Sequence, residues 1–171
     1  MDGRLSVRCG KQTPTPYLKK WHKALIDPRL KSDEITVVDL GCGDGRNSKF
    51  LLDKLTKPLL YAFDIRDDYG TKCVLGRDKL PVRDGSVNII LVNYVFMFLS
   101  PLELIQVLEE IDRIASRQCR MMIELYSASA SYAQDTETLA ALKVTILQHF
   151  TADGNWAVFH NSKDRFILMH L

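Results

Sequence analysis

An apolar strand that breaks into a turn with glycine at every second position constrains this chain more than any other feature: Val37-Val38-Asp39-Leu40-Gly41-Cys42-Gly43-Asp44-Gly45. Residues without a Cβ let the backbone take positive φ and let a ligand lie almost against the peptide plane, with helix amides pointing at it. Such a turn is built to cradle something.

Spacing narrows what is held. The dinucleotide fingerprint G-x-G-x-x-G needs a third glycine where this chain has Arg46, which weakens a nicotinamide or flavin reading. A second apolar strand, Leu59-Leu60-Tyr61-Ala62-Phe63, ends in Asp64, an acid able to accept both hydroxyls of a ribose.

Together with Leu80-Pro81-Val82-Arg83-Asp84-Gly85-Ser86-Val87-Asn88-Ile89-Ile90, these segments make the chain resemble the class I S-adenosylmethionine-dependent methyltransferase superfamily over roughly residues 35–115. The resemblance rests on the glycine motif at 37–45, on Phe63-Asp64-Ile65 as the ribose acid and its neighbours, and on the Leu-Pro, polar turn and apolar strand in that order. It implies S-adenosylmethionine as cofactor and methyl transfer as activity. Gly41, Gly43 and Gly45 would let the backbone approach the methionine part, with Cys42 and Asp44 in the same turn. Asp39 would anchor the turn or the cofactor amine, Asp64 would grip the ribose and Ile65 would pack on the adenine.

The alternation of strand and helix independently argues for a parallel sheet covered by helices. Strands are expected at 35–40, 59–63, 72–75, 87–93 and 120–126, and helices at 47–57, from Pro101 to about Ala115, and at 136–150. Ser100 and Glu103 form a capping box with Pro101 at the first helical position. Residues 127–133 read as a polar loop. Segments 156–160 and 165–170 flank the turn Asn161-Ser162-Lys163-Asp164 as an antiparallel hairpin. The expected fold is thus α/β, Rossmann-like and mostly parallel, with a C-terminal antiparallel hairpin. Only eleven residues separate Asp64 from Gly76, so the crossover helix between strands two and three is expected to be shortened or absent.

At 171 residues, with 46% hydrophobic and 26% charged, the chain suits one methyltransferase-like domain, with a catalytic core at 35–171 and an N-terminal arm at 1–31. The longest apolar stretch, 89–99, is interrupted by Asn93 and falls short of the roughly 20 residues that span a bilayer. The first ten residues lack a signal-peptide core. An intracellular, cytoplasmic protein without membrane contact is expected. Cys9, Cys42, Cys73 and Cys119 show no C-x-x-C spacing, so neither zinc nor a disulfide framework is indicated and no metal is expected. Cys42 reads as a packed small side chain.

The arm carries eight Lys or Arg against Asp2 and Asp27, a balance of +6 in a chain of net charge +2, which leaves −4 for the remainder. With Tyr17 and Trp21 on a helix, it lids the cofactor, with Leu18, Trp21 and Leu25 inward, or lies on phosphates and stacks on bases, and the two readings are compatible.

Catalytic candidates follow from strand ends, where ligands sit in such sheets. Asn93-Tyr94 closes strand four and is faintly similar to the Asn-Pro-Pro-Tyr motif of amino-methylating enzymes, without its prolines. Asn93 is a candidate to orient an amine beside the cofactor, and Tyr94 to stack on a substrate. Phe96, Met97 and Phe98 read as packing residues. Asp78 is a candidate for the adenine amine, although it lies two residues too close to Pro81 for the family's spacing. Asn93 and Glu124 do not match the tetrad of ribose-hydroxyl methyltransferases. Glu124 either orients an acceptor amine or points to water. Among the histidines, His22 is a possible base, whereas His149, His160 and His170 read as structural. The acceptor remains open between a small molecule, slightly favoured, and an RNA or DNA base. A non-catalytic, cofactor-binding regulatory subunit and a protein partner also stay open.

Overall fold

Period-two alternation along the strands separates two apolar faces. Val38, Ile90 and Val92 contribute to one cluster, and Val37, Ile89 and Leu91 to the other. In the computed structural model, which describes residues 13–26, 35–67, 69–126 and 135–171, both faces are covered by helices. β1 (Ile35–Leu40) is buried at all six positions, as a central strand covered on both sides must be.

The other strands are β2 (Pro58–Asp64), β3 (Thr71–Lys72), β4 (Val87–Asn93), β5 (Ala115–Glu124), β6 (Trp156–Asn161) and β7 (Arg165–His170). They lie in the order β3-β2-β1-β4-β5-β7-β6. β1 to β5 run parallel, and β7 is antiparallel to both β5 and β6. The C-terminal hairpin is as expected. Chain order reverses between β1 and β4, which makes a crevice at their carboxyl ends, the switch point where such sheets bind ligands.

The helices are α1 (Pro16–Leu25), α2 (Arg46–Leu52), α3 (Pro101–Ile114) and α4 (Thr136–Thr151). The capping box at α3 is formed as the sequence predicts, with Ser100 Oγ accepting from Glu103 N–H and Glu103 Oε2 accepting from Ser100 N–H at 2.9 Å. Among the described residues no helix joins β2 to β3.

Three boundaries differ most from the expectation. α2 stops at Leu52 rather than 57, because its end tightens into i→i+3 bonds, Lys54 N–H to Leu51 O and Leu55 N–H to Leu52 O. β3 keeps only two residues, since Val74 turns away into a loop closed by Arg77 and Asp78 amides on its carbonyl. β5 begins at Ala115, five residues early, because α3 passes straight into it. The price is a register shift opposite Val87 and a positive φ of 68° at Gln118. The expected loop at 127–133 and most of the basic arm, including Cys9, lie outside the described residues.

Candidate functional site: a cavity at the strand ends

Gly41, Gly43 and Gly45 all adopt left-handed φ, at 69°, 56° and 72°. Gly41 is the most constrained: a Cβ there would stand 2.2 Å from Val95 Cγ2. The turn is tied to β2, for Gly41 and Cys42 amides donate to Phe63 O, and Gly43 N–H donates to Asp64 Oδ2 at 2.9 Å. Beneath it, Asp39 is buried and accepts from the Ser48 hydroxyl of α2. Burial raises its carboxyl to about 6, against the downward pull of the Ser48 hydrogen bond and of Arg46.

Above the turn opens a cavity of about 640 Å³. The expected residues Gly41, Asp64, Ile65 and Tyr94 line it together. Val74, Leu75, Val95, Phe98 and Leu99 add apolar walls, and Arg66, Arg77 and Glu103 form its polar edge. Ile65 and Phe98 are both about two-thirds exposed, although they are large and apolar, which suits a wall that a ligand covers. Asp64 also accepts from Arg66 N–H. An acid at the end of β2, a bare turn on β1 and flat apolar walls between fit a nucleoside with a sulfonium side chain.

Several candidates stand elsewhere. Asp78 does not line this cavity; its Oδ2 accepts from Val74 N–H at 2.7 Å and closes its own turn, a task that gave no sequence signal. Cys42 is buried with its thiol pushed up to about 12 by burial, an inert packed side chain. Phe96 and Met97 are buried as expected, whereas Phe98 faces the cavity. Trp21 stacks on His160 of β6 with ring centroids 4.2 Å apart, so its ring packs α1 onto the hairpin. His22 donates to Lys19 O, His149 meets Asp112 at 2.8 Å, and His170 donates to Ser116 O.

The largest surprise surrounds Glu124. Its side chain is buried rather than directed to water, and it gathers four partners from distant elements. Oε1 accepts from the Thr15 hydroxyl and from Asn93 Nδ2 at 2.8 Å. Oε2 accepts from Tyr94 Oη at 3.2 Å and lies 3.5 Å from Arg165 Nε. Burial pushes the Glu124 carboxyl up, against the downward pull of those donors and of Arg165. Asn93 is therefore turned into this cluster. Tyr94 spans both sites: it lines the cavity, bonds Glu124 and stacks on Tyr126 at 4.7 Å, with a positive φ of 62° that is strained for a side chain of its size.

Among the described residues no group of three or more His, Cys, Asp or Glu is arranged to hold a metal ion, and no helix is long and apolar enough to cross a membrane. No sequence-family model matches the chain, nor does any curated protein. Solved structures do. A SAM-dependent methyltransferase from Aquifex aeolicus is 18% identical, with a TM-score of 0.60 over 91% of this chain and 93% of its own. One from Archaeoglobus fulgidus is 11% identical, with a TM-score of 0.59 over 90% of each chain. Geranyl diphosphate C-methyltransferase from Streptomyces coelicolor A3(2), in complex with S-adenosyl-L-homocysteine among other ligands, is 12% identical, with a TM-score of 0.63 over 90% of this chain and 73% of its own. The strand order, the switch-point cavity and these likenesses together show the Rossmann-like fold of the SAM-dependent methyltransferases.

Proposed function

We propose that the chain binds S-adenosylmethionine in the cavity at the switch point and transfers its methyl group to an acceptor. The observation that carries this reading is the meeting of the bare Gly41 turn and the Asp64 carboxylate on one apolar-walled cavity. Asp64 would hold the ribose hydroxyls, Ile65 and Leu75 the faces of the adenine, and the bare face of the turn, with Asp39 behind it, the methionine part. When bound, this cofactor supplies a methyl group already activated by its sulfonium. The protein then has chiefly to align the acceptor with it and to exclude water.

Tyr94, at the carboxyl end of β4, is the group that would face the acceptor. A small molecule is the favoured acceptor, supported by a neighbour named for geranyl diphosphate and by the stacked Tyr94–Tyr126 pair beside the cavity. A nucleic-acid acceptor draws on Lys19, Lys20 and Lys23, all exposed on α1. Trp21, one of the two α1 rings that this reading offers for base stacking, packs against His160 instead.

Calorimetry with S-adenosylhomocysteine tests the site. Asp64→Ala should weaken binding by roughly 10- to 100-fold, the worth of one or two charge-assisted hydrogen bonds; unchanged affinity would remove Asp64 from the site. Labelled-methyl transfer into metabolite, RNA, DNA and protein fractions then distinguishes the acceptors, and binding without label in any fraction would favour a non-catalytic role. Nucleic-acid affinity that does not fall with salt would dismiss the RNA or DNA reading.

A further inference from the structure

Among the described residues, Glu124 is the one buried carboxylate in contact with a cavity-lining side chain that the cofactor reading leaves without a task. It stands behind Tyr94 at the carboxyl end of β5, and Tyr94 Oη donates to its Oε2. A fully buried carboxylate is costly unless paired, and among the described residues Arg165 is its only close cation, at 3.5 Å and without the alignment of a hydrogen bond. Around it Tyr17 Oη, Asn93 Oδ1 and Arg165 Nε are buried and make no hydrogen bond among the described residues. Arg165 lies over the Tyr17 ring at 5.7 Å, which joins these groups into one cluster. A merely structural carboxylate would be expected to satisfy its surroundings. Here the neighbours of the carboxylate keep hydrogen-bonding capacity in reserve, on which a group that gains and loses a proton can draw.

We propose that Glu124 receives, through the Tyr94 hydroxyl, the proton released by the methyl acceptor, and that the acceptor's reacting atom therefore carries a hydrogen, as a hydroxyl, an amine or a carbon acid does. The inference rests on the methyl-transfer reading of the cavity. As the acceptor's electron pair forms the bond to the methyl carbon, the carbon–sulfur pair stays on sulfur. The acceptor proton passes to Tyr94 Oη, and the Tyr94 proton passes to Glu124 Oε2. One positive and one negative charge disappear together, so no net charge is left in the buried cluster. With the proton on Oε2, the carboxyl still accepts from Asn93 Nδ2 and the Thr15 hydroxyl through Oε1. Tyr94 touches the acceptor, and Glu124 acts through it.

The groups facing Glu124 set the pH range. Thr15, the N-cap of α1, and Tyr17 within it face the carboxylate, with Asn93 and Tyr94 at and just after the end of β4, Arg165 and Asp164 from the hairpin, and Arg46 of α2 acting on Tyr94 from further off. Burial outweighs the cations and holds the carboxyl above its ordinary range. Only the ionised form accepts a proton, so transfer should accelerate as pH rises through that raised midpoint.

The test uses the full chain. Carbon-13 NMR, with the Glu124 carboxyl assigned through Glu124→Gln, should show it titrating above the ordinary carboxylate range, with the Tyr94 ring resonance moving at the same midpoint. In Tyr94→Phe, which loses a donor to the ionised form, the Glu124 midpoint should rise further. Label transfer from S-adenosylmethionine into whichever of the pooled metabolite, RNA, DNA and protein fractions accepts it should fall at least ~100-fold in Glu124→Gln and in Tyr94→Phe, with the acid limb of the pH profile lost. A Glu124 that titrates in the ordinary range or independently of Tyr94, or either variant keeping the parent's pH profile, overturns the relay while S-adenosylhomocysteine binding leaves the cofactor reading standing. A parent chain that does not bind S-adenosylhomocysteine overturns both.

Discussion

A methyl group added at Gly41 has nowhere to go. Its Cβ would lie 2.2 Å from Val95 Cγ2 at a φ of 69° that side chains disfavour. Gly41→Ala should therefore destabilise the fold by roughly 2–5 kcal/mol, from backbone strain plus overpacking, read as a lower urea midpoint. Asp39 gives the opposite kind of prediction, visible in pH. Its carboxyl holds a proton to about 6 when folded, against 3.8 ordinarily, so between those values the folded chain binds more protons than the unfolded one. Stability should then fall as pH rises through this window, by roughly 3 kcal/mol at about 1.4 kcal/mol per unit. Asp39→Asn, whose amide oxygen still accepts from Ser48, should flatten that slope in denaturant titrations at pH 4 and pH 6. An unchanged slope would place the proton elsewhere.

At the level of elements, α3 does more than cover the sheet. Its last turn carries Arg113, which clasps the loop before β4: Nη1 donates to Val82 O and Asp84, Nη2 to Leu80 O and Glu110, and Nε to Glu110. Arg113→Ala leaves two loop carbonyls without these donors and should cost roughly 1–3 kcal/mol. Faster amide exchange confined to 80–86 would show that the clasp, rather than helix propensity, is what was lost. α1 is held differently. Thr15 caps the helix and bonds Glu124, and Trp21 stacks on His160, so the helix is fastened to the hairpin and to the cluster behind Tyr94. Among its described residues none lines the cavity.

For the molecule as a whole, the sheet order opens the crevice between β1 and β4, and ligand binding there should register in global stability. S-adenosylhomocysteine at 100 times its dissociation constant should add about 2.7 kcal/mol and raise Tm by about 5–10 °C for a chain of this size; no shift at saturation would count against the cavity. Much of this plan was legible beforehand. The turn at 41–45, the acid after β2, the α3 capping box, the missing crossover helix and the C-terminal hairpin follow from glycine sterics, local hydrogen bonds, spacing and hydrophobic period, all properties of neighbours along the chain. The cluster at Glu124 was not legible, because its partners come from afar: Thr15 is 109 residues away and Asn93 31. Nor were the cavity walls at Val74, Leu75 and Phe98, or the capture of Asp78 by its own turn. Which polar groups meet inside is decided by how separate strands end side by side, and no short-range rule carries that information. The sequence alone therefore determined the cradle and its carboxylate, while only the tertiary structure decided what stands behind Tyr94, since burial and long-range pairing arise when the sheet is assembled.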